Sequence, residues 1–170
     1  MKERKNIILV GLMGSGKTTV GKQLSKTLSK KFIDTDHLIE QRTGVDISTI
    51  FELEGEDGFR LRETHLLEGL LNQKDLVIAS GGGIILSQLN RKLLKKLGLV
   101  FYLKANCDDL ANRLKNDKSR PLIKNVDIRI KMQDLLNERD TLYDSVADYI
   151  IETKGKRAID IKNEIMEIII

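Results

Sequence analysis

An anion-binding loop lies close to the N-terminus, where residues 11–18 read Gly-Leu-Met-Gly-Ser-Gly-Lys-Thr. This is the pattern G-x-x-x-x-G-K-[ST]; it follows the apolar run 6–10 and precedes a segment with helical spacing, as a phosphate-binding loop requires. Its glycines let successive backbone N–H groups point at one anion, and the following helix adds the positive end of its dipole. In such a loop Lys17 would contact the phosphates and the Thr18 hydroxyl would ligate magnesium. The predicted nucleotide-binding set is Gly14, Ser15, Gly16, Lys17, Thr18 and Thr19.

Two further polar segments each follow a predicted strand: residues 34–36 read Asp-Thr-Asp, and residues 81–83 are three glycines. Because the carboxyl ends of parallel strands meet at one edge of a sheet, we expect both segments to lie beside the phosphate loop. One carboxylate would then hold magnesium or its waters, while the other would orient an attacking hydroxyl and accept its proton. The alternative is a strand-end turn in which Asp36 caps the next helix. The glycines could form a flexible turn, although close approach of the backbone to a ligand explains all three better.

Arginines are the next candidates, because a planar guanidinium matches phosphate or carboxylate in two-point contacts. The four considered are Arg60, Arg113, Arg120 and Arg139. Arg120 stands beside Pro121 in the polar, basic segment 116–125, which we predict to be a mobile lid. Arg60 has Glu63 three residues further on, within reach on one helix face. Each arginine taken alone could also be an ordinary surface residue.

The elements that must position these residues alternate between strand-like and helix-like runs, which predicts a parallel sheet covered by helices on both faces. Strands are expected at 7–10, 31–33, 76–79, 99–103 and 149–152. Helices are expected at 17–29, 36–42, 46–53, 56–72, 87–97, 126–139 and 158–169. A further helix would start after Asn106 or Asp108 and end near Lys115, and Asp46 is a candidate N-cap. We therefore expect one α/β domain over residues 1–170, a three-layer α/β/α sandwich with a five-stranded parallel sheet.

Composition favours small anionic ligands over nucleic acid: the net charge is +4, basic and acidic residues are interspersed, and aromatic residues make up only 4%. No run of eighteen apolar residues is present, so no membrane span is expected. Residues 1–5 lead into a short strand rather than a signal peptide, which predicts a cytoplasmic protein. Cys107 is the single cysteine, so no internal disulfide can form. No surplus apolar segment calls for a partner, and we expect a monomer.

Together these segments resemble the shikimate kinases, in the nucleoside-monophosphate-kinase-like branch of P-loop proteins, over nearly the full length. Besides the loop and residues 34–36, the shared segments in order are Ile39-Glu40-Gln41-Arg42-Thr43-Gly44, Ile50-Phe51, Gly55-Glu56, Phe59-Arg60, Gly81-Gly82-Gly83, Arg120-Pro121-Leu122, Asn137-Glu138-Arg139 and Leu142-Tyr143. The resemblance implies transfer of the γ-phosphate of ATP, with one Mg²⁺ ion, to the 3-hydroxyl of shikimate. The products would be ADP and shikimate 3-phosphate, in the route to chorismate and the aromatic amino acids.

The resemblance also implies a role for each site residue. Asp36 would bind the ring hydroxyls and orient or deprotonate the attacking one, and Asp34, with Thr18, would hold magnesium. Arg60 and Arg139 would clamp the shikimate carboxylate.

Further residues would complete the pocket. Phe51 and Phe59 would form its wall, and the backbone of residues 81–83 would contact the substrate. Arg113 would lie against the adenine, and Arg120 would reach over the phosphates when the lid closes. Many relatives carry a proline that packs on the adenine in the loop equivalent to 154–158; this chain has none there, so the second wall of the base pocket has no residue assigned to it.

Two other functions stay open on the sequence. A kinase of the same branch could act on gluconate or a nucleoside monophosphate, although the combination of residues 34–36 with Arg60 and Arg139 speaks against it. A nucleotide-dependent switch or binding protein is the second alternative. The chain lacks the Asn-Lys-x-Asp motif of GTPases and retains Lys17 and Asp36. The sequence therefore favours a kinase that transfers phosphate directly and in line, without a covalent enzyme intermediate.

Overall fold

A computed structural model describes residues 5–115 and 127–170 of the chain. In chain order its elements are β1 (Asn6–Val10), α1 (Lys17–Leu28), β2 (Lys31–Asp34), α2 (Thr35–Thr43), α3 (Ile47–Leu70), β3 (Leu76–Ala79), a 3-10 turn (Ile84–Leu86), α4 (Gln88–Leu97), β4 (Gly98–Lys104), α5 (Cys107–Leu114), α6 (Ile128–Val146), β5 (Tyr149–Glu152) and α7 (Ala158–Ile169). All five predicted strands are present, each within one residue of its predicted bounds.

The strands form one sheet in the order β2-β3-β1-β4-β5, and every pairing between neighbours is parallel. In the centre, Leu9 of β1 lies opposite Ala79 of β3 and Phe101 of β4. The strand order reverses at β1, because the chain goes first to one side of it and then to the other. Ligands of open α/β sheets bind outside the carboxyl ends of the strands at such a point.

Both faces of the sheet are covered, as the alternation of side chains along β1 shows. Ile8 and Val10 belong to a core formed with α2 to α6, whereas Ile7 and Leu9 belong to a second core formed with α1 and α7. A strand buried on both faces must be apolar at every position, which explains the continuous run 7–10. The predicted three-layer α/β/α sandwich with a five-stranded parallel sheet is confirmed.

Local capping and one bend explain where the helices begin and change direction. Asp46 accepts a hydrogen bond from the Thr49 backbone N–H, as an N-cap does, and Asn106 rather than Asp108 caps α5. The two helices predicted over 46–53 and 56–72 are the halves of α3, which bends at Gly55, where φ is +71°. Glycine adopts this left-handed conformation without the strain that a side chain would bring.

The predicted end of α6 was wrong, because the helix continues seven residues beyond Arg139, to Val146. Its buried residues recur every three or four positions through the extension: Met132, Leu135, Arg139, Tyr143 and Val146. This buried face, uninterrupted by glycine or proline, keeps the segment helical. Consequently Tyr143 lies one turn beyond Arg139 on the same face of α6.

Two predictions concern residues that the structure describes only in part or not at all. The proposed lid at 116–125, with Arg120 and Pro121, lies outside them. Within residues 5–115 and 127–170, none of the helices combines the length and apolar character needed to cross a bilayer.

Candidate active site

A cavity of about 990 Å³ opens at the carboxyl ends of β1, β2 and β3. It brings together every predicted site residue of the described chain: Gly14, Ser15, Gly16, Lys17, Thr18, Thr19, Asp34, Asp36, Phe51, Phe59, Arg60, Gly81, Gly82, Gly83, Arg113 and Arg139. Arg120, the remaining predicted residue, lies outside the described residues. Segments far apart in sequence thus meet where the topology of a parallel sheet requires.

The phosphate loop curls around the side chain of Lys17. Gly14 and Gly16 have φ values of +82° and +97°, which L-residues with side chains rarely adopt. Lys17 is 8% exposed, and its Nζ donates to the backbone carbonyls of Gly11 (2.6 Å) and Leu12 (2.8 Å). The ammonium group is therefore held at the loop by the backbone that would surround an anion.

The first carboxylate of the 34–36 segment faces Thr18. Thr18 Oγ1 donates to Asp34 Oδ2 at 3.0 Å, while Asp34 Oδ1 accepts from the His37 backbone N–H at 3.2 Å. Asp34, and not Asp36, is therefore the N-cap of α2. Its carboxylate is oriented by the helix it caps and presents an oxygen beside the Thr18 hydroxyl.

These oxygens fit a hard divalent cation such as Mg²⁺, which prefers oxygen ligands. Within the described ranges, no group of three or more His, Cys, Asp and Glu side chains is arranged to hold a metal. Mg²⁺ typically takes one or two protein oxygens and completes its shell with phosphate oxygens and waters. The pair Thr18 and Asp34 suits that mode of binding rather than an all-protein cage.

The second carboxylate, Asp36, lies against the glycine segment 81–83. A Cβ placed on Gly81 would overlap with Asp36 Oδ1, so this position has no room for a side chain. The Gly81 backbone N–H donates to Thr35 Oγ1 at 2.8 Å, which fixes the segment against the start of α2. The absence of a side chain thus allows a backbone to approach a carboxylate closely.

Two arginines line the same cavity as Asp36. Arg60 donates to Glu63 Oε2 at 2.8 Å and to Glu56 Oε1 at 3.3 Å, and Gly83 makes room for its guanidinium, since a Cβ there would overlap with it. Arg139 is 6% exposed, and its Nε lies 3.8 Å from Glu138 Oε2.

Both Nε atoms are buried and, among the described residues, lack a hydrogen-bond partner. Buried donors of this kind are rare in folded proteins unless a ligand or water uses them. The pair can therefore bind an anionic group.

An aromatic surface adjoins the arginines. The rings of Phe51 and Phe59 have centroids 4.9 Å apart, and the Arg60 guanidinium carbon lies 5.3 Å from the Phe59 ring centroid. This wall limits access of water on one side of the cation and offers a flat apolar surface to a ring.

Glu63 is the fully buried carboxyl beneath this region. Burial raises the pKa of Glu63 to about 7 although the Arg60 charge lowers it, and the neighbouring Asp36 charge adds to the increase. Thus Glu63 takes up a proton near neutral pH.

The stability of the protein is expected to fall as pH rises from about 5 to 7.5 through the ionisation of Glu63. Between its unfolded pKa near 4.5 and its folded pKa of about 7, the folded state holds a proton that the unfolded chain has released. At about 1.4 kcal/mol per pKa unit, the loss reaches roughly 3 kcal/mol. Denaturant unfolding across this range should show the loss in the wild type and not in Glu63→Gln. Glu56→Gln, which removes the exposed partner of Arg60, should retain it; equal pH profiles for wild type and Glu63→Gln would contradict the assignment.

The structure adds residues that the sequence analysis did not assign to the site. Thr35 holds Gly81, and the Tyr143 hydroxyl donates to the Gly82 carbonyl at 2.5 Å. Tyr143 was part of a recognised motif, but its contact with a residue 61 positions away carries no local signal.

At the far end of the cavity, beyond the loop, the predicted Arg113 lies with residues that the sequence analysis did not assign. Arg113 donates to the Gly14 carbonyl at 2.8 Å, and Lys156, Arg157, Ala158 and Ile161 line the same cavity. Arg157 is held by Asp160 through two hydrogen bonds of 3.0 Å. The sequence analysis assigned no residue to the second wall of the base pocket, and these residues line that end of the cavity.

Comparisons with known proteins agree with this geometry. The shikimate kinase family model matches residues 13–170. The shikimate kinase of Nitrosospira multiformis is 51% identical over 153 residues, which span 90% of this chain and 78% of that protein. The shikimate kinase of Histophilus somni is 45% identical over 170 residues, 99% of this chain and 97% of that protein.

Solved structures show the same relationship. A shikimate kinase from Acinetobacter baumannii in complex with shikimate is 47% identical and matches with a TM-score of 0.93, over 97% of this chain and 92% of that one. A gluconokinase from Sinorhizobium meliloti, at 17% identity and a TM-score of 0.58, shares the fold alone. The match to the family model over most of the length, together with these relatives, shows that this chain belongs to the shikimate kinase family.

Proposed function

We propose that this protein transfers the γ-phosphate of ATP to the 3-hydroxyl of shikimate and releases ADP and shikimate 3-phosphate, in the route to chorismate. One observation carries the proposal: a carboxylate, Asp36, and two arginines, Arg60 and Arg139, line the same cavity as the phosphate loop. The acceptor that suits this set has hydroxyl groups for the carboxylate and an anionic group for the arginines. Shikimate has both, and the relative from Acinetobacter baumannii was solved in complex with it.

In this proposal Asp36 accepts a hydrogen bond from the attacking hydroxyl, orients it and takes its proton as the bond to phosphorus forms. The backbone of Gly82 and its neighbours approaches the ring of shikimate, since these residues have no side chains to keep it away. Lys17 and the loop N–H groups offset the charge that develops on the transferred phosphoryl group. No nucleophilic side chain takes part, so the transfer is direct and in line.

Thr18 and Asp34 are the residues that would hold a magnesium ion, directly or through water. When bound, the ion would offset charge on the β- and γ-phosphates of ATP. The role of the chain is to orient these two oxygens, and Asp34 is oriented by capping α2.

The adenine is proposed to lie at the end of the cavity lined by Arg113 and residues 156–158. Arg120 and the lid at 116–125 remain expectations from the sequence. A monomer and a cytoplasmic location are likewise proposed from the sequence.

The test is the release of ADP from ATP and magnesium with shikimate, gluconate or a nucleoside monophosphate, against a control without acceptor. Release that requires shikimate supports the proposal. Release with another acceptor would refute the pairing of the two arginines with the shikimate carboxylate. Nucleotide binding without release for any acceptor would instead support the switch or binding-protein alternative.

Substitution of Gly81 by alanine is expected to lower kcat/KM for shikimate by about 10²-fold, because a displacement of about 1 Å in a catalytic group has this effect. The new Cβ would overlap with Asp36 Oδ1 and push the carboxylate aside. The matched control is Gly69→Ala in α3, where a Cβ meets nothing within 4 Å. Steady-state kinetics should show normal activity for Gly69→Ala; normal activity for Gly81→Ala as well would show that the position of Asp36 is not critical.

A further inference from the structure

Helix α6 presents two buried polar side chains to the site. Arg139 and Tyr143 are one turn apart on the same face, and Tyr143 is completely buried. A phenylalanine would fill nearly the same space without a polar group. Burying a hydroxyl is unfavourable unless it is hydrogen-bonded, so the partners of this one are informative.

The first partner is the glycine segment. Tyr143 donates its hydroxyl proton to the Gly82 carbonyl at 2.5 Å, across 61 residues of sequence. A Cβ placed on Gly82 would lie 3.7 Å from the Tyr143 hydroxyl oxygen and 3.5 Å from the Met13 backbone nitrogen. Gly82 is thus close to both the tyrosine of α6 and the phosphate loop, and the hydrogen bond fixes its peptide group there.

Arg139, one helical turn before Tyr143 on the same buried face of α6, influences the hydroxyl electrostatically. Burial raises the pKa of Tyr143 above its usual range, while the charge and hydrogen bonding of Arg139 act in the opposite direction. The hydroxyl therefore stays protonated at neutral pH, and it donates its proton to the Gly82 carbonyl.

We propose that Tyr143 is a positioning residue that joins the carboxylate clamp to the glycine segment. Its hydroxyl holds the Gly82 carbonyl, and its side chain lies one turn from Arg139 on the same buried face of α6. Arg139, which binds the acceptor, and the Gly82 backbone, which lies against the acceptor, thereby keep fixed positions relative to each other. This inference rests on the proposed function, since it concerns how the site receives shikimate.

The neighbouring Tyr102 offers a matched control. The ring centroids of Tyr102 and Tyr143 are 4.9 Å apart, and both residues are buried. The Tyr102 hydroxyl, however, donates to Asp140 Oδ1 at 2.7 Å and not to the glycine segment. Removing either hydroxyl leaves an aromatic ring in place, so packing is preserved in both variants. The two variants therefore differ in whether the lost hydrogen bond reaches the glycine segment.

The experiment compares Tyr143→Phe with Tyr102→Phe. Tyr143→Phe is expected to lower kcat/KM for shikimate about 10- to 100-fold, mainly through KM, because the buried Gly82 carbonyl loses its hydrogen-bond donor next to the acceptor site. The KM for ATP should stay within about twofold, as expected when the loss is local to the acceptor site. Tyr102→Phe should leave both constants near those of the wild type. A shared loss in both variants, or an equal loss for ATP and shikimate, would overturn the proposal and indicate a structural role alone.

Two further measurements separate this inference from the proposed function. In an Arg139→Ala background, Tyr143→Phe should lower kcat/KM for shikimate by a smaller factor than it does in the wild type. The two effects are not additive because both substitutions disturb the same part of the acceptor site. Hydrogen exchange of residues 81–83, measured by mass spectrometry, should accelerate in Tyr143→Phe and not in Tyr102→Phe. Faster exchange in a protein that fails to phosphorylate shikimate would refute the proposed function while retaining the positioning role, whereas unchanged exchange with unchanged KM would overturn that role.

Discussion

Replacing Lys17 by methionine is expected to reduce turnover by at least about 10²- to 10³-fold, the usual effect of removing one group that stabilises charge in a transition state. Methionine keeps an unbranched side chain of similar length and removes the charge. The lost ammonium donates to the Gly11 and Leu12 carbonyls, and Lys17 as a residue is only 8% exposed, so the charge acts with little screening by water. Single-turnover and steady-state release of ADP should both show the loss.

The matched control for this change is Lys22→Met, on an exposed position of α1 outside the cavity. It removes the same charge from the same helix and should leave turnover near that of the wild type. Unfolding of both variants in denaturant separates a loss of chemistry from a loss of folded protein. Near-normal turnover in folded Lys17→Met would refute the assignment of the phosphate loop.

The parts of the site that could be predicted from sequence are those in which the chemistry is local. The phosphate loop places its glycines, lysine and threonine within eight residues, and its backbone geometry follows from those residue types. Asp34, Asp36 and the glycines were placed beside it by a topological rule, because each segment follows a strand of a parallel sheet. Neither step requires knowledge of how side chains pack.

The rest of the site depends on contacts between distant segments. Tyr143 reaches Gly82, and Thr35 reaches Gly81, over 61 and 46 positions. The pKa of Glu63 is set by burial, which sequence spacing does not reveal. The predicted end of α6 at Arg139 was wrong because the buried face, which depends on packing against other elements, continues to Val146.

Arg139→Ala is expected to lower kcat/KM for shikimate by about 10²-fold or more, since truncating one partner of a buried charge pair typically costs about 2–5 kcal/mol. Arg139 is buried and leaves its Nε without a hydrogen-bond partner among the described residues, so a bound carboxylate would gain a donor that water scarcely reaches. Most of the loss should appear in KM for shikimate, and the KM for ATP should change little. Preference for shikimate over an analogue without the carboxylate should fall by a similar factor.

The matched control is Arg129→Ala, one residue into the same helix, with a side chain that is 71% exposed and paired with Asp108. It removes a guanidinium from α6 outside the cavity, and an exposed ion pair contributes about 0–1 kcal/mol, so activity and stability should both change little. Arg139→Lys keeps the charge but offers a single point contact in place of the planar fork, and it should recover only part of the lost affinity. If Arg139→Ala retained the wild-type preference for shikimate over its uncharged analogue, the carboxylate would have to bind elsewhere, and Arg60 with its Glu63 partner would be the remaining arginine in the described cavity near Asp36 to hold it.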